Sequence, residues 1–98
     1  MERVIRQQLD KPTGDLTRED LETLTGLEGY DEGIENLEGL QYATNLTMLG
    51  IGSNLISDIS ALAGLTNLTM LRLEDNLISD ISPLAGLTSM DQLDLHQN

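Results

Sequence analysis

The sequence predicts an α/β solenoid: a right-handed coil with a short parallel β-sheet on one side, 3₁₀ turns on the convex side and a helical N-terminal cap. Three observations predict this fold. The chain contains a 22-residue repeat, each repeat changes from a period-two to a period-three apolar pattern, and a capping-box sequence precedes the first repeat. A single unit cannot bury its apolar edge, whereas a stack of units buries a continuous core.

The repeat is clearest in the second half of the chain. Residues 46–67 and 68–89 are identical at 16 of 22 positions. The same framework recurs in degenerate form over residues 24–45 and restarts over residues 90–98. We therefore expect one leucine-rich domain, residues 1–98, in which a helical cap over residues 1–23 precedes two full repeats flanked by incomplete ones.

Each full repeat predicts one strand and one set of tight turns. Leu49 and Ile51 alternate with polar or small residues, which is the period-two pattern of a strand. Apolar residues then recur every third position from Ile56 to Leu65, a spacing that suits 3₁₀ turns.

An asparagine recurs where the chain leaves each predicted strand, at Asn54, Asn76 and Asn98. Because corner backbone groups need partners when they are buried, we expect these amides to be structural. We also expect Asp58 and Asp80 to bond to N–H groups of their own turns rather than to calcium.

The N-terminal segment has its own helix signals. Val4, Ile5 and Leu9 form one apolar face, and the segment around Pro12 ends it. Thr17 and Asp20 have capping-box spacing, which predicts a second helix. The chain has two aromatic residues, Tyr30 and Tyr42. We expect Tyr42 to pack beneath the first repeat.

Composition excludes several functional classes. Seventeen acidic and five basic residues give a net charge of −12, which disfavours nucleic-acid binding. The chain has no Cys and a single His, so we predict no catalytic residue, no metal site and no cofactor. No apolar run is long enough to insert into a membrane, and residues 1–10 lack the apolar centre of a signal peptide.

The pattern LxxLxLxxNxIxxIxxLxxLxx resembles the leucine-rich repeats of bacterial internalins. The segments Ile78–Ser82, Pro83–Leu87 and Gly39–Leu46 carry this resemblance, and the N-terminal segment resembles the internalin helical cap. The resemblance implies a non-catalytic module for protein–protein recognition. It also implies a bacterial cell-surface or secreted protein, although the sequence itself leaves the cytoplasm open.

The two full repeats differ at six positions, and three of these differences lie on the strand or at its exit. They are Gly50/Arg72, Gly52/Glu74 and Ser53/Asp75, which alternate with buried residues and therefore face solvent. In a leucine-rich repeat this is the concave face, and the Gly50–Gly52 pair should leave a shallow gap there. The expected protein-binding residues are Glu28, Tyr30, Asp31, Met48, Gly50, Gly52, Met70, Arg72, Glu74, Asp75, Gln92, Asp94 and His96.

Two interpretations of this face remain open on the sequence alone. Its differences between repeats are those of a recognition surface on a fixed framework, or they reflect drift at exposed positions. Five acidic residues against Arg72 favour a protein partner with a basic surface.

The last repeat predicts an open apolar end, because solenoids need a polar terminal cap. We expect Leu84, Leu87, Met90, Leu93 and Leu95 to be partly exposed and to join two copies into a homo-oligomer through residues 84–98. The alternative to a recognition module is a truncated or engineered repeat scaffold that mainly self-associates through this uncapped end.

Overall fold

A computed structural model describes residues 1–98 as two short helices followed by four coils of a solenoid. The helices are α1 (Glu2–Leu9) and α2 (Arg18–Glu22), and the strands are β1 (Gly26–Glu28), β2 (Met48–Gly50), β3 (Met70–Arg72) and β4 (Gln92–Asp94). Three 3₁₀ turns, Leu40–Tyr42, Ser60–Leu62 and Ser82–Leu84, lie between successive strands. The predicted fold class is confirmed.

The four strands form one parallel sheet in the order β1-β2-β3-β4. Leu27, Leu49, Leu71 and Leu93 are aligned across it, so each coil advances by one 22-residue repeat. In the first three of these coils the leucine is fully buried, and in the first two the residues of the period-three pattern are buried as well. The core is therefore a single column of aliphatic side chains enclosed between the sheet and the turns.

The corner asparagines connect each coil to the one before it. Asn54 Nδ2 donates to the Gly29 carbonyl oxygen at 2.8 Å and to the Ile51 oxygen of its own coil at 2.8 Å. Its Oδ1 accepts from the N–H groups of Glu32 and Ile34, both at 3.0 Å. Asn76 makes three of the four equivalent bonds one coil later, and the predicted structural role of these amides is confirmed.

The cap closes the N-terminal end of the core. Val4 and Ile5 of α1 are buried, and α1 packs against β1. Thr17 and Asp20 form the predicted capping box at the start of α2. Lys11 Nζ also donates to Asp20 Oδ2 at 2.8 Å. The hydrogen bond from the Lys11 side chain has the largest effect on the pKa of Asp20, and the bond from the Thr17 backbone has the next largest. Together these contacts lower that pKa to about 2.

The expectation for Tyr42 is wrong. Its ring is exposed at the surface, where the Arg18 guanidinium lies 4.7 Å from the ring centroid. The tyrosine follows Leu40, which already fills the buried position of the 3₁₀ turn. Tyr42 is consequently directed towards α2 and links the cap to the first coil.

The C-terminal coil is more exposed than its neighbours. Ile81 and Leu93 are 53% and 47% exposed, whereas the equivalent Ile59 and Leu71 are 1% and 0% exposed. Leu84, Met90 and Leu95 are partly buried against the core, in line with the expectation for this end.

Leu87 is the exception, and its predicted exposure is wrong. It is only 6% exposed and belongs to the continuous aliphatic core. The side chain points into its own coil, where its backbone N–H bonds to the Leu84 carbonyl oxygen at 3.1 Å. Its burial therefore depends much less on a following coil than that of Ile81 or Leu93 does.

Replacing Asn54 by Ala should lower the free energy of unfolding by on the order of 3 kcal/mol or more, because several buried backbone groups lose their only partner. Urea denaturation would measure this loss. The control is Ser79→Ala, at an exposed residue whose side chain makes no hydrogen bond, which should change stability by less than about 0.5 kcal/mol. Equal effects of the two substitutions would contradict the structural role of Asn54.

Asp20→Asn should destabilise the protein at pH 7, because the ionised carboxylate is the form that the capping box and Lys11 stabilise. Since the pKa of Asp20 is lowered from 3.8 to about 2, this stabilisation is present above about pH 4. It is lost as the pH falls through about 2, so thermal unfolding midpoints of wild type and variant should converge there. Asp15→Asn, on an exposed carboxylate without a partner, should shift the midpoint little at any pH.

Candidate concave binding face

Backbone pairing beyond the strands aligns the concave face. The Ile51 N–H donates to the Arg72 carbonyl oxygen at 3.0 Å, and the Ser53 N–H donates to the Glu74 oxygen at 2.9 Å. The same bonds join the other neighbouring coils. Residues one and two positions past each three-residue strand therefore remain in register with their equivalents in the next coil.

The predicted binding residues form four parallel rows across the coils. From one edge to the other, the rows are Met48, Met70 and Gln92; Glu28, Gly50, Arg72 and Asp94; Tyr30, Gly52, Glu74 and His96; and Asp31 and Asp75. Asp31 and Asp75 stand at the corner with φ values of 54° and 56°, where the chain turns away from the sheet. Most of these residues are exposed or half-buried.

Gly52 differs from the expectation of an open, solvent-facing position. It is buried because the Glu74 side chain lies over it. A Cβ built on Gly52 would stand 2.5 Å from the Glu74 Cδ atom. Gly50 is half-buried, and the atom nearest to a Cβ there would be Glu28 Cγ at 3.9 Å.

The two glycines open a small notch at the centre of the face, with a volume of about 230 Å³. Gly50 and Gly52 form its base, between side chains of the two adjacent coils. We call it the glycine notch; its lining residues are Glu28, Tyr30, Met48, Gly50, Gly52, Met70, Arg72 and Glu74. The shallow gap expected from the sequence is thus present, but one half of it is covered by Glu74.

Carboxylates on the rest of the face are held by local hydrogen bonds. The side chain and the backbone N–H of His96 both bond to Asp94 Oδ1, and these bonds lower the pKa of Asp94. Ser53 Oγ donates to Asp75 Oδ2 at 3.1 Å, across neighbouring coils. The face is therefore acidic, and local hydrogen bonds fix the position of some of its carboxylates.

The two turn aspartates bond to N–H groups of their own turns, as the sequence predicts. Asp58 accepts from the Ser60 N–H and Asp80 accepts from the Ser82 N–H, both at 2.9 Å. These bonds lower the pKa of both carboxyl groups. No group of three or more His, Asp or Glu side chains is placed to hold a metal ion. No helix has the length and apolar composition to span a bilayer.

Sequence reasoning missed one exposed apolar pair. Leu55 and Leu77 follow the corner asparagines, and both are at least half exposed. Both lie outside the period-three apolar pattern, and this position in the repeat could have identified them as surface residues.

The chain belongs to the leucine-rich repeat family, because the family model for paired leucine-rich repeats matches residues 44–85 and 66–98. Its repeats and helical cap are of the internalin type. The internalin InlF of Listeria monocytogenes superimposes with a TM-score of 0.94 and 38% identity over 97% of this chain. Internalin C2 of the same species superimposes with a TM-score of 0.92 and 32% identity, again over 97%.

A more distant similarity is to a structure of the CBM51-2 and INT domains of Clostridium perfringens ZmpB. It has a TM-score of 0.65 and 38% identity over 71% of this chain, and the match spans 15% of that protein. A search of curated proteins found no significant match. This chain spans 28% of the InlF structure and 43% of the internalin C2 structure.

Proposed function

We propose that this chain is a non-catalytic recognition module that binds a protein partner on its concave face. The observation that carries the proposal is the difference between the two full repeats. They share 16 of 22 residues, and half of their differences lie on this one face, at Gly50/Arg72, Gly52/Glu74 and Ser53/Asp75. A fixed framework with variable side chains on one rigid surface is the arrangement that recognition requires.

The charge of the face favours a partner with a basic surface. The face carries five carboxylates, and its only basic residue is Arg72. The carboxylates belong to Glu28, Asp31, Glu74, Asp75 and Asp94. Opposite charges across an interface increase the association rate and exclude wrong partners. A standard interface takes about 800 Å² from each side, so a partner would use nearly all of this four-strand face.

The resemblance to internalins further supports a bacterial cell-surface or secreted location for the module. It also supports binding rather than catalysis, since internalin-type repeats serve as binding modules.

The test removes charge from the face without altering its framework. The triple variant Asp31→Asn, Asp75→Asn, Asp94→Asn should weaken binding to an immobilised panel of basic protein partners by about tenfold or more, with a reduced salt dependence. Asn suits the left-handed backbone at Asp31 and Asp75, so the fold should remain intact. Surface plasmon resonance at two salt concentrations gives both values.

The matched control removes the same charge elsewhere. Asp15→Asn, Glu19→Gln and Glu35→Gln alter three exposed acids on the cap and the convex side. If these substitutions weakened binding as much as the concave ones do, the concave face would not be the binding surface.

A second candidate function is self-association through the C-terminal coil, and the exposure of Ile81 and Leu93 favours it. Both residues occupy positions that are fully buried in the preceding coil. The neighbouring β4 pairs with another strand on one side only. Two copies related by a two-fold axis could cover these apolar side chains together with Leu84, Met90 and Leu95.

Light scattering at micromolar concentration tests this second candidate. A mass of twice 10.7 kDa is expected, and Leu93→Glu should return the dimer to a monomer because it buries a charge in the contact. Leu55→Glu, on an equally exposed residue away from this end, is the control. A wild-type monomer, or a dimer that survives Leu93→Glu, would overturn the candidate.

A further inference from the structure

The glycine notch is a place where the framework omits two side chains that adjacent coils supply. The equivalents of Gly50 are Glu28, Arg72 and Asp94, and those of Gly52 are Tyr30, Glu74 and His96. Neither glycine has the positive φ angle that only glycine tolerates well. The backbone therefore does not demand glycine at either position, and the result of having it is the open volume of about 230 Å³.

Glu74 is the residue of this notch whose carboxylate lacks a partner. Its side chain lies over Gly52, and its Oε2 atom is buried without any hydrogen-bond partner. No cation of the chain lies within 4 Å of its carboxylate. A desolvated carboxylate without a partner costs free energy, which a positive charge placed beside the carboxylate group would recover in part.

The remaining walls fit a cation on an apolar stem. Met48 and Met70 offer polarizable apolar surface, and Glu28 places a second carboxylate on the opposite side. The Tyr30 ring completes the wall and suits contact with a cation. An anion would be repelled by both glutamates, and a purely apolar group would leave the Glu74 carboxylate without a compensating charge.

We propose that the glycine notch binds the side chain of a lysine or arginine, with the Glu74 carboxylate as its acceptor and the two methionines against its aliphatic stem. Long basic side chains bury their stems on apolar surface while the head group keeps polar partners. As the anchor of a protein partner, this inference rests on the proposed function. The notch gives that function a chemical specificity: the partner presents a basic side chain at the centre of its contact surface.

Arg72 is a cation of the chain itself that would compete with a basic ligand for this site. It lies on the wall of the notch, is exposed and forms no ion pair within 4 Å. Its positive charge opposes the entry of another cation. Removing it should therefore strengthen the binding of a basic probe, an effect that a general loss of surface contacts would not produce.

NMR titration of the full chain with Nα-acetyl-arginine methylamide and Nα-acetyl-lysine methylamide tests the site directly. The Gly50 and Gly52 amide signals should shift and saturate with at least one probe, which also identifies the preferred head group. Nα-acetyl-citrulline methylamide has nearly the shape of the arginine probe without its charge, and should bind about tenfold more weakly. Equal shifts with the citrulline and arginine probes, or no saturable shift with either basic probe, would overturn the proposal.

Variants separate the notch from the rest of the face. Glu74→Gln should weaken the basic probe by about tenfold, and Arg72→Ala should strengthen it. Gly50→Ala should narrow the notch without moving Glu74, whereas Gly52→Ala should displace the Glu74 carboxylate, and both should weaken binding. Ser57→Ala on the convex side is the control, and unchanged affinity in Glu74→Gln would refute the assignment.

The outcome is independent of the test of the proposed function. Asp31, Asp75 and Asp94 do not line the notch, so their triple variant should alter partner binding while lowering the affinity of the probe much less than Glu74→Gln does. Probe binding without any partner response would support the notch and contradict the recognition function. A partner that depends on the three aspartates, combined with no probe binding, would support the function and refute the notch.

Discussion

The hydrogen bonds of the corner asparagines are the constraint on which the rest of the molecule depends. Each amide bonds to its own coil and to the preceding one, at sequence separations of 20 to 25 residues. The stacking distance and the 22-residue register are consequently set by buried groups whose loss would be costly. Backbone bonds along the sheet hold neighbouring coils on one side, and the asparagines hold them where the chain turns away from it.

This constraint separates the framework from the exposed residues of the concave face. The strand side chains that pack into the core of this coil are those of Leu49 and Ile51. Gly50 and Gly52 contribute no side chain to the core. Residues between the buried positions can therefore change from one coil to the next without a loss of core packing. Gly50 and Gly52 are tolerated for this reason, and so are Arg72 and Glu74 at the same positions one repeat later.

The periodic part of the structure could be predicted from the sequence, because it follows from spacing alone. The strands, the 3₁₀ turns, the capping box at Thr17 and the corner amides are all repeated or local signals. Two features could not be predicted in this way. The position of Glu74 over Gly52 and the outward direction of Tyr42 depend on which way one side chain turns, and a period does not determine a rotamer. Leu87 differs from these, because its period predicts burial and the expectation of exposure came only from its place near the open end.

The distribution of cations gives the concave face its electrostatic character. Arg3, Arg6 and Lys11 form ion pairs within the cap or with the first coil, and Arg18 lies over Tyr42. From residue 46 onwards, Arg72 is the only basic residue among six carboxylates. Adjacent strands are only about 4.8 Å apart, and the Debye length is about 8 Å at physiological salt. Charges on neighbouring coils therefore act together as one acidic patch, in which the fields of Glu28 and Glu74 overlap at the glycine notch.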